Sequence, residues 1–219
     1  MRHLLAVGLI LVVAICAAVQ AEDKPQAEEG FVSLFDGQSH KGWQGNKEGY
    51  AITDGSFVCQ PKGGGNLYTD REYGDFHLKF EFKLTPGANN VIGIRTPLEG
   101  DPAFVGMEIQ VLDDSSDTYK GKLAEYQYHG SVYGVVAAKQ GHLKPVGEWN
   151  SEEIILHGKD IKIILNGETI VDANLDEASK NGTIDKREHS GLKRDKGFIC
   201  FCGHGAEVWF RNLKIKELK

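Results

Sequence analysis

The chain of 219 residues carries 25 Lys and Arg against 31 Asp and Glu, a formal charge of −6. This mildly acidic balance, without a basic run, excludes the electrostatic footprint that nucleic acid or an anionic membrane surface requires. Hydrophobic residues make up 41% of the chain, enough for a packed core and too many for a disordered segment.

Residues 1–21 read as a signal peptide. Arg2 and His3 precede the apolar run LLAVGLILVVAICAAV, and the small residues leading to Ala21 suit cleavage. The run is short for a membrane span, so we expect no membrane anchor after cleavage and a periplasmic or secreted protein. Residues 22–30, acidic and containing Pro25, are expected to form a flexible leader to a single domain over 31–219. Cys16 leaves with the signal, while Cys59, Cys200 and Cys202 remain. Cys200 and Cys202 share one face of a predicted strand and are poorly placed to bridge each other. Pairing of either with Cys59, or three buried free thiols, are both open readings.

From residue 31 strand follows strand, punctuated by glycine. In chain order FVSLFDG, YAITDGSFVCQ, GNLYTD, FHLKFEFKLT, NVIGIRT, GMEIQVLD, EEIILHG, KDIKIILNGETIVDA, GFICFCG and EVWFRNLKIKEL show strand composition or alternation. DGS and NGE mark turns between strand pieces. In HLKFEFKL, Leu78, Phe80, Phe82 and Leu84 face one way and His77, Lys79, Glu81 and Lys83 the other. No stretch supports a long amphipathic helix, although DEASKNG suits one helical turn. The fold class expected is all-β, a concanavalin-like jelly-roll sandwich of two antiparallel sheets. Residues 113–150, rich in Gly, Tyr, Lys and His, are expected as long loops at the mouth of the sandwich.

In GMEIQVLDD the apolar Met107, Ile109 and Val111 alternate with Glu108 and Gln110, and Asp113 and Asp114 follow. The three apolar residues pack in the core, so the acid and the amide lie together on the opposite face. That face is either wet or the floor of a site.

The order FVSLFDG…GW…DG…GGGNLYTDREYGDFHLKFEFK, then GIRTP…GMEIQVLDD, VYGVVAAK…KPVGEWN, LNGETIVD and HGAEVWFRNLKIKEL, resembles the bacterial 3-keto-disaccharide hydrolase domain. That family is described as a 3-keto-α-glucoside 1,2-lyase and 3-keto-2-hydroxy-glucal hydratase. The resemblance covers about residues 30–219. Tyr50 stands where the family usually carries tryptophan before DG, a change that keeps an aromatic ring. The resemblance implies an enzyme acting on a small oxidised glycoside. A base removes the C2 proton, the glycosidic oxygen leaves C1, and water adds back to the glucal. Two alternatives stand beside it. One is a glucanase-type glycoside hydrolase, on the E-x-Q-x-x-D spacing of Glu108, Gln110 and Asp113. The other is a non-catalytic carbohydrate-binding module.

Under the implied chemistry Glu108, Asp113 and His204 are the candidate catalytic groups. Arg95, Gln110, Glu125, His129, Tyr133 and Lys144 are candidates for holding substrate. Asp113, near the strand end, could serve as acid, base or metal ligand, and Asp114 could serve a turn. Arg95 ends the apolar VIGIRT and is either a rim charge or a clamp on substrate oxygens. His129 and His204 each precede glycine in a predicted loop, where an imidazole is either a titrating acid or simply exposed. Lys144 could neutralise an enolate, and Trp43 and Trp149 either stack on a sugar or fill the core. Glu108, Asp113, Asp114 and a histidine would make the hard, oxygen-rich set that a divalent metal such as Ca²⁺ or Mn²⁺ takes. GGGNLYT lacks the Lys-Ser/Thr ending of a phosphate loop, and no nucleotide or organic cofactor is expected.

Overall fold

The computed structural model describes residues 28–219. Residues 1–21, expected to be a signal peptide, and residues 22–27 of the expected leader lie outside the described residues. Among the described residues thirteen strands account for most of the regular structure. They are β1 (Val32–Ser33), β2 (Trp43–Gly45), β3 (Tyr50–Thr53), β4 (Ser56–Cys59), β5 (Gly65–Thr69), β6 (Phe76–Leu84) and β7 (Asn89–Thr96). After the short helix α1 (Pro102–Val105) come β8 (Met107–Leu112), β9 (Trp149–His157), β10 (Asp160–Leu165) and β11 (Glu168–Asn174). The helix α2 (Leu175–Ser179) precedes β12 (Phe198–Gly203) and β13 (Val208–Glu217).

These strands form two antiparallel sheets. The larger runs β11-β10-β9-β6-β13-β4-β3, with β1 also on β13, and the smaller runs β2-β5-β12-β7-β8. The molecule is therefore a jelly-roll sandwich. Period-two alternation decides which side chains meet between the layers. Along β6, Phe76, Leu78, Phe80, Phe82 and Leu84 are buried and the residues between them are not. Along β12, Ile199 and Phe201 enter the main core, and Phe201 stacks on Phe210 of β13 with ring centroids 4.2 Å apart. Cys200 and Cys202 point the other way, into a small apolar cluster with Tyr68 and Val91, with their sulfurs 3.1 Å apart. Cys59 lies in the main core, and all three thiols are buried and free.

The turn signals have a visible cause. Asp54 and Gly55 between β3 and β4, and Asn166 and Gly167 between β10 and β11, all adopt positive φ. A two-residue hairpin needs that backbone twist, and Asx-Gly supplies it with little strain. Helix α2 matches the single turn expected in DEASKNG, capped by Asn174, whose side chain accepts from the N–H groups of Asp176 and Glu177. Residues 113–148 contain no strand. Part of this segment instead covers the outer edge of β8: Gln110 N–H donates to Ser131 O, Gly130 N–H to Gln110 O, and Tyr133 N–H to Glu108 O. An edge strand with its backbone groups satisfied in this way is closed to further pairing. Among the described residues no helix is long and apolar enough to cross a membrane.

Candidate active site

On β8, Met107, Ile109 and Val111 enter the core, so Glu108, Gln110 and Leu112 face outward from the smaller sheet. They form the floor of a cavity of about 290 Å³. Asp101, Ala103 and Phe104, from the turn into α1, make one wall with Arg187. Tyr119, Leu123, Gln127 and Tyr133 make the other, while Asn89 and His204 close the far side.

Glu108 stands opposite Gly93 of β7, where a side chain would meet the Cys200 sulfur at 2.5 Å. The glutamate is 7% exposed, and its carboxyl makes no hydrogen bond among the described residues. Burial, with a further push from the negative charge of Asp101, raises its pKa from 4.5 to about 8. A carboxyl held there is largely protonated at neutrality yet close enough to its pKa to exchange a proton with a substrate. Beside it, Gln110 Nε2 donates to Asn89 Oδ1 at 3.1 Å, and Gln110 Oε1 is buried without a partner. His204 lies on the rim, where partial burial lowers its pKa against the attraction of Asp101. Tyr133 accepts a bond from Gln127 Nε2 at 3.3 Å and keeps its own O–H free to donate.

The wall bearing Arg187 is fastened to α1. Arg187 N–H donates to Asp185 Oδ1 at 3.0 Å, and the Asp185 carboxylate lies 3.0 Å from His189 Nε2. His189 Nδ1 lies 2.8 Å from Ala103 O, in α1 itself. The Arg187 guanidinium then sits over the Phe104 ring, 3.8 Å from its centroid. Asp101 caps α1 by accepting the Ala103 N–H at 3.1 Å.

Of the candidates read from the sequence, the cavity gathers Glu108, Gln110, Tyr133 and His204. The others lie elsewhere. Arg95 is 1% exposed and bonds Asp75 Oδ1 at 2.7 Å, Gly158 O at 2.9 Å, Arg194 O at 3.1 Å and Gly74 O at 3.3 Å. A β-bulge causes this: Phe198 pairs with Thr96 and Cys200 with Gly93, so Ile94 and Arg95 together oppose Ile199. Arg95 takes the positive φ of 48° at the bulge and its side chain is spent inside the fold. Asp113 accepts the Gly87 N–H at 2.8 Å and the Ser115 hydroxyl at 2.6 Å, holding a turn. His129 is buried, stacked on Phe82 at 5.0 Å. Glu125 is exposed and does not line the cavity, although Gln127 of the same short 3₁₀ turn does, and Lys144 is exposed with Nζ on Trp149 O. Trp43 is core and stacks on Phe201, whereas Trp149 lies beneath Arg211 and Lys83. Among the described residues no three His, Cys, Asp or Glu side chains converge as a metal site. With Asp113 committed to its turn, the set imagined around Glu108 does not fit a metal.

The residues missed by sequence reasoning are chiefly Asp101, Phe104 and Arg187. Asp101-Pro102 is a legible start for a helix, an Asx cap followed by proline. Arg187 in DKREHS carries no local signal and reads as an exposed charged turn.

Comparison with known proteins bears on this geometry. Residues 30–216 match the 3-keto-alpha-glucoside-1,2-lyase-like domain. The 3-keto-disaccharide hydrolase of Bacteroides thetaiotaomicron is 27% identical over 234 residues, spanning 89% of this chain and 80% of that one. Two crystal structures of provisionally named glycosyl hydrolases from Parabacteroides distasonis superpose with TM-scores of 0.73 and 0.71 at 27% and 26% identity. They cover 86% and 87% of this chain and 99% and 95% of their own. A Bacillus subtilis protein with a galectin-like fold, at TM-score 0.54 and 12% identity over 85% of this chain and 94% of its own, shares the fold alone. With nearly all of the described residues matched, the chain belongs to the 3-keto-alpha-glucoside-1,2-lyase-like family.

Proposed function

We propose that the protein cleaves 3-keto-glycosides, glucosides or disaccharides already oxidised at C3, by elimination followed by hydration. The observation that carries this reading is Glu108, a buried carboxyl with no partner, facing a cavity and titrating at about 8. Membership of the family and the name of the Bacteroides relative support the substrate class. Residues 1–21 belong to the same reading, as a signal that delivers the domain to the periplasm or beyond the cell.

The C3 ketone acidifies the C2 proton, and ionised Glu108 takes it. The electron pair passes into an enolate on O3, for which Arg187 is the nearby cation. Collapse of the enolate restores the ketone, forms the C1–C2 double bond and expels the glycosidic oxygen. That oxygen takes a proton from a water held at the rim by neutral His204. The hydroxide so formed adds to C1 as Glu108 returns its proton to C2. The sum is hydrolysis without an oxocarbenium ion. The glucanase reading loses ground because Asp113, its second carboxylate, bonds Gly87 and Ser115 instead of lining the cavity.

The test is turnover of a panel of 3-keto-glucosides by purified protein and by Glu108→Gln. We expect consumption by the wild type and a loss of about 10²–10⁴-fold in the variant with unchanged circular dichroism. No turnover of any keto-glucoside, or release of sugar from unoxidised β-glucan, or saturable binding without product, overturns the proposal.

A further inference from the structure

Resting on that reading of the cavity, we infer that Asn89 and Gln110 bind hydroxyls of the sugar expelled as leaving group, and so set which glycosides the enzyme accepts. The two residues sit on neighbouring strands, Asn89 pairing with Leu112 and Gln110 with Val91. Gln110 Nε2 donates to Asn89 Oδ1 at 3.1 Å, and this one bond orients both amides. What it leaves unused is complementary to a sugar. Asn89 Nδ2 has no acceptor among the described residues, and Gln110 Oε1, on a residue 5% exposed, has no donor. Two N–H groups in want of an oxygen therefore stand beside an oxygen in want of a proton. A hydroxyl both donates and accepts, so a pair of neighbouring hydroxyls satisfies the set. An alkyl or aryl group in that place would displace water and leave every one of these groups unpaired.

Position along the floor assigns those hydroxyls to the second ring. Leu112, the partner of Asn89, lies four residues from Glu108, which at about 3.3 Å per residue separates the two rows by roughly 13 Å. With C2 of the keto ring at the Glu108 carboxyl, the other hydroxyls of that ring lie within a ring's width of it. They occupy the end where Tyr133 bonds the Glu108 carbonyl and Arg187 covers Phe104 of α1, which leads directly into β8. His204 marks the opposite end. It follows Gly203, which pairs with Asn90, and so stands beside Asn89 on the same cavity. In the proposed mechanism the water at His204 protonates the glycosidic oxygen, so the sugar on that oxygen lies on the Asn89 side. The volume of about 290 Å³ is at the lower end for small-molecule sites and encloses one ring. Asn89 is half-buried and His204 exposed, so the second ring lies where the cavity opens.

The experiment uses a 3-keto-glucosyl-glucose, the same compound lacking one hydroxyl at a time on the leaving glucose, and the methyl 3-keto-glucoside of the same anomer. With the wild type, at least one deletion should lower kcat/KM by about 10-fold or more, the effect of one lost hydrogen bond in a desolvated site. In Asn89→Leu that deletion should cost nothing further. The variant should also reduce the disaccharide-to-methyl ratio of kcat/KM by about 10-fold or more. Each substrate is compared between two proteins, so differences in leaving-group acidity cancel. Asn89→Ala replaces the leucine variant if that one does not fold. Equal rates on all the deoxy compounds, a deletion that costs as much in the variant as in the wild type, or a ratio unmoved by the variant overturns the inference and leaves the chemistry standing. If no keto-glucoside is turned over, the chemistry is what fails. Equilibrium binding of the unoxidised disaccharide and methyl glucoside to both proteins then decides the inference by the same ratio.

Discussion

Glu108 owes its chemistry to two facts of placement, burial on the cavity floor and the nearby charge of Asp101. Because the proposed first step needs the ionised form, kcat/KM should rise tenfold per pH unit below about 8 and level off above it. Asp101→Asn removes a negative charge, which favours the carboxylate, so the inflection should move to lower pH. The asparagine keeps an acceptor for the Ala103 N–H, and the cap on α1 survives. A pH–rate profile in which the two proteins share one inflection would count against the assignment. The same shift has a cost in stability. Between the unfolded value of 4.5 and about 8, the folded chain holds a proton that the unfolded chain has released. Stability is therefore fully present below 4.5 and declines as pH rises towards 8. Glu108→Gln abolishes that decline. At pH 8 its Tm should exceed that of the wild type by about 5–10 °C, with the gap closing as the pH falls. Parallel Tm curves would show that the buried carboxyl costs nothing.

β8 depends on the segment that closes its edge, and His129 shows how. Its Nδ1 accepts the Leu112 N–H at 3.3 Å, so the ring proton sits on Nε2, which lies 3.0 Å from Glu152 Oε2 of β9. The two groups are close but out of line for a hydrogen bond, and Glu152 is 0% exposed with neither oxygen otherwise partnered. His129→Leu removes the acceptor of the buried Leu112 N–H and the polar neighbour of Glu152, and should destabilise the protein by about 1–3 kcal/mol in urea denaturation. Adding Glu152→Leu removes the buried polar group beside it, and the double variant should regain part of the loss. Equal stabilities for the single and double variants would mean that the pair is not coupled. The sequence offered no warning of this role. A histidine before glycine in a stretch without strand periodicity reads as a mouth residue, and only the docking of residues 129–133 along β8 turns it inward.

The sandwich was legible from the chain because burial imposes period two on nearly every strand, and the Asx-Gly turns fix where strands reverse. The site was legible only in part. Parity on β8 yields Glu108 and Gln110, whereas Asp101 and Arg187 meet through the His189–Asp185 contact, a tertiary event with no local pattern. Arg95 is the instructive failure. Strict alternation would set it beside Gly93 on the outward face, but one extra residue at the bulge reverses its direction. Its guanidinium then joins the β9–β10 turn at Gly158, the approach to β6 at Gly74 and Asp75, and the loop at Arg194. Three separate parts of the chain lean on one buried cation. Arg95→Met takes the donor from three carbonyls and leaves the part-exposed Asp75 carboxylate with the Gly158 N–H. It should lower stability by about 3–5 kcal/mol and Tm by about 10 °C, while kcat/KM well below Tm stays within about twofold of wild type. A substrate clamp would behave in the opposite way, losing rate with Tm intact. Should the methionine variant not fold, Arg95→Lys separates the two roles. It keeps a charge for Asp75 but lacks the planar fork that reaches all three carbonyls, so Tm should fall by a smaller amount with the rate again preserved.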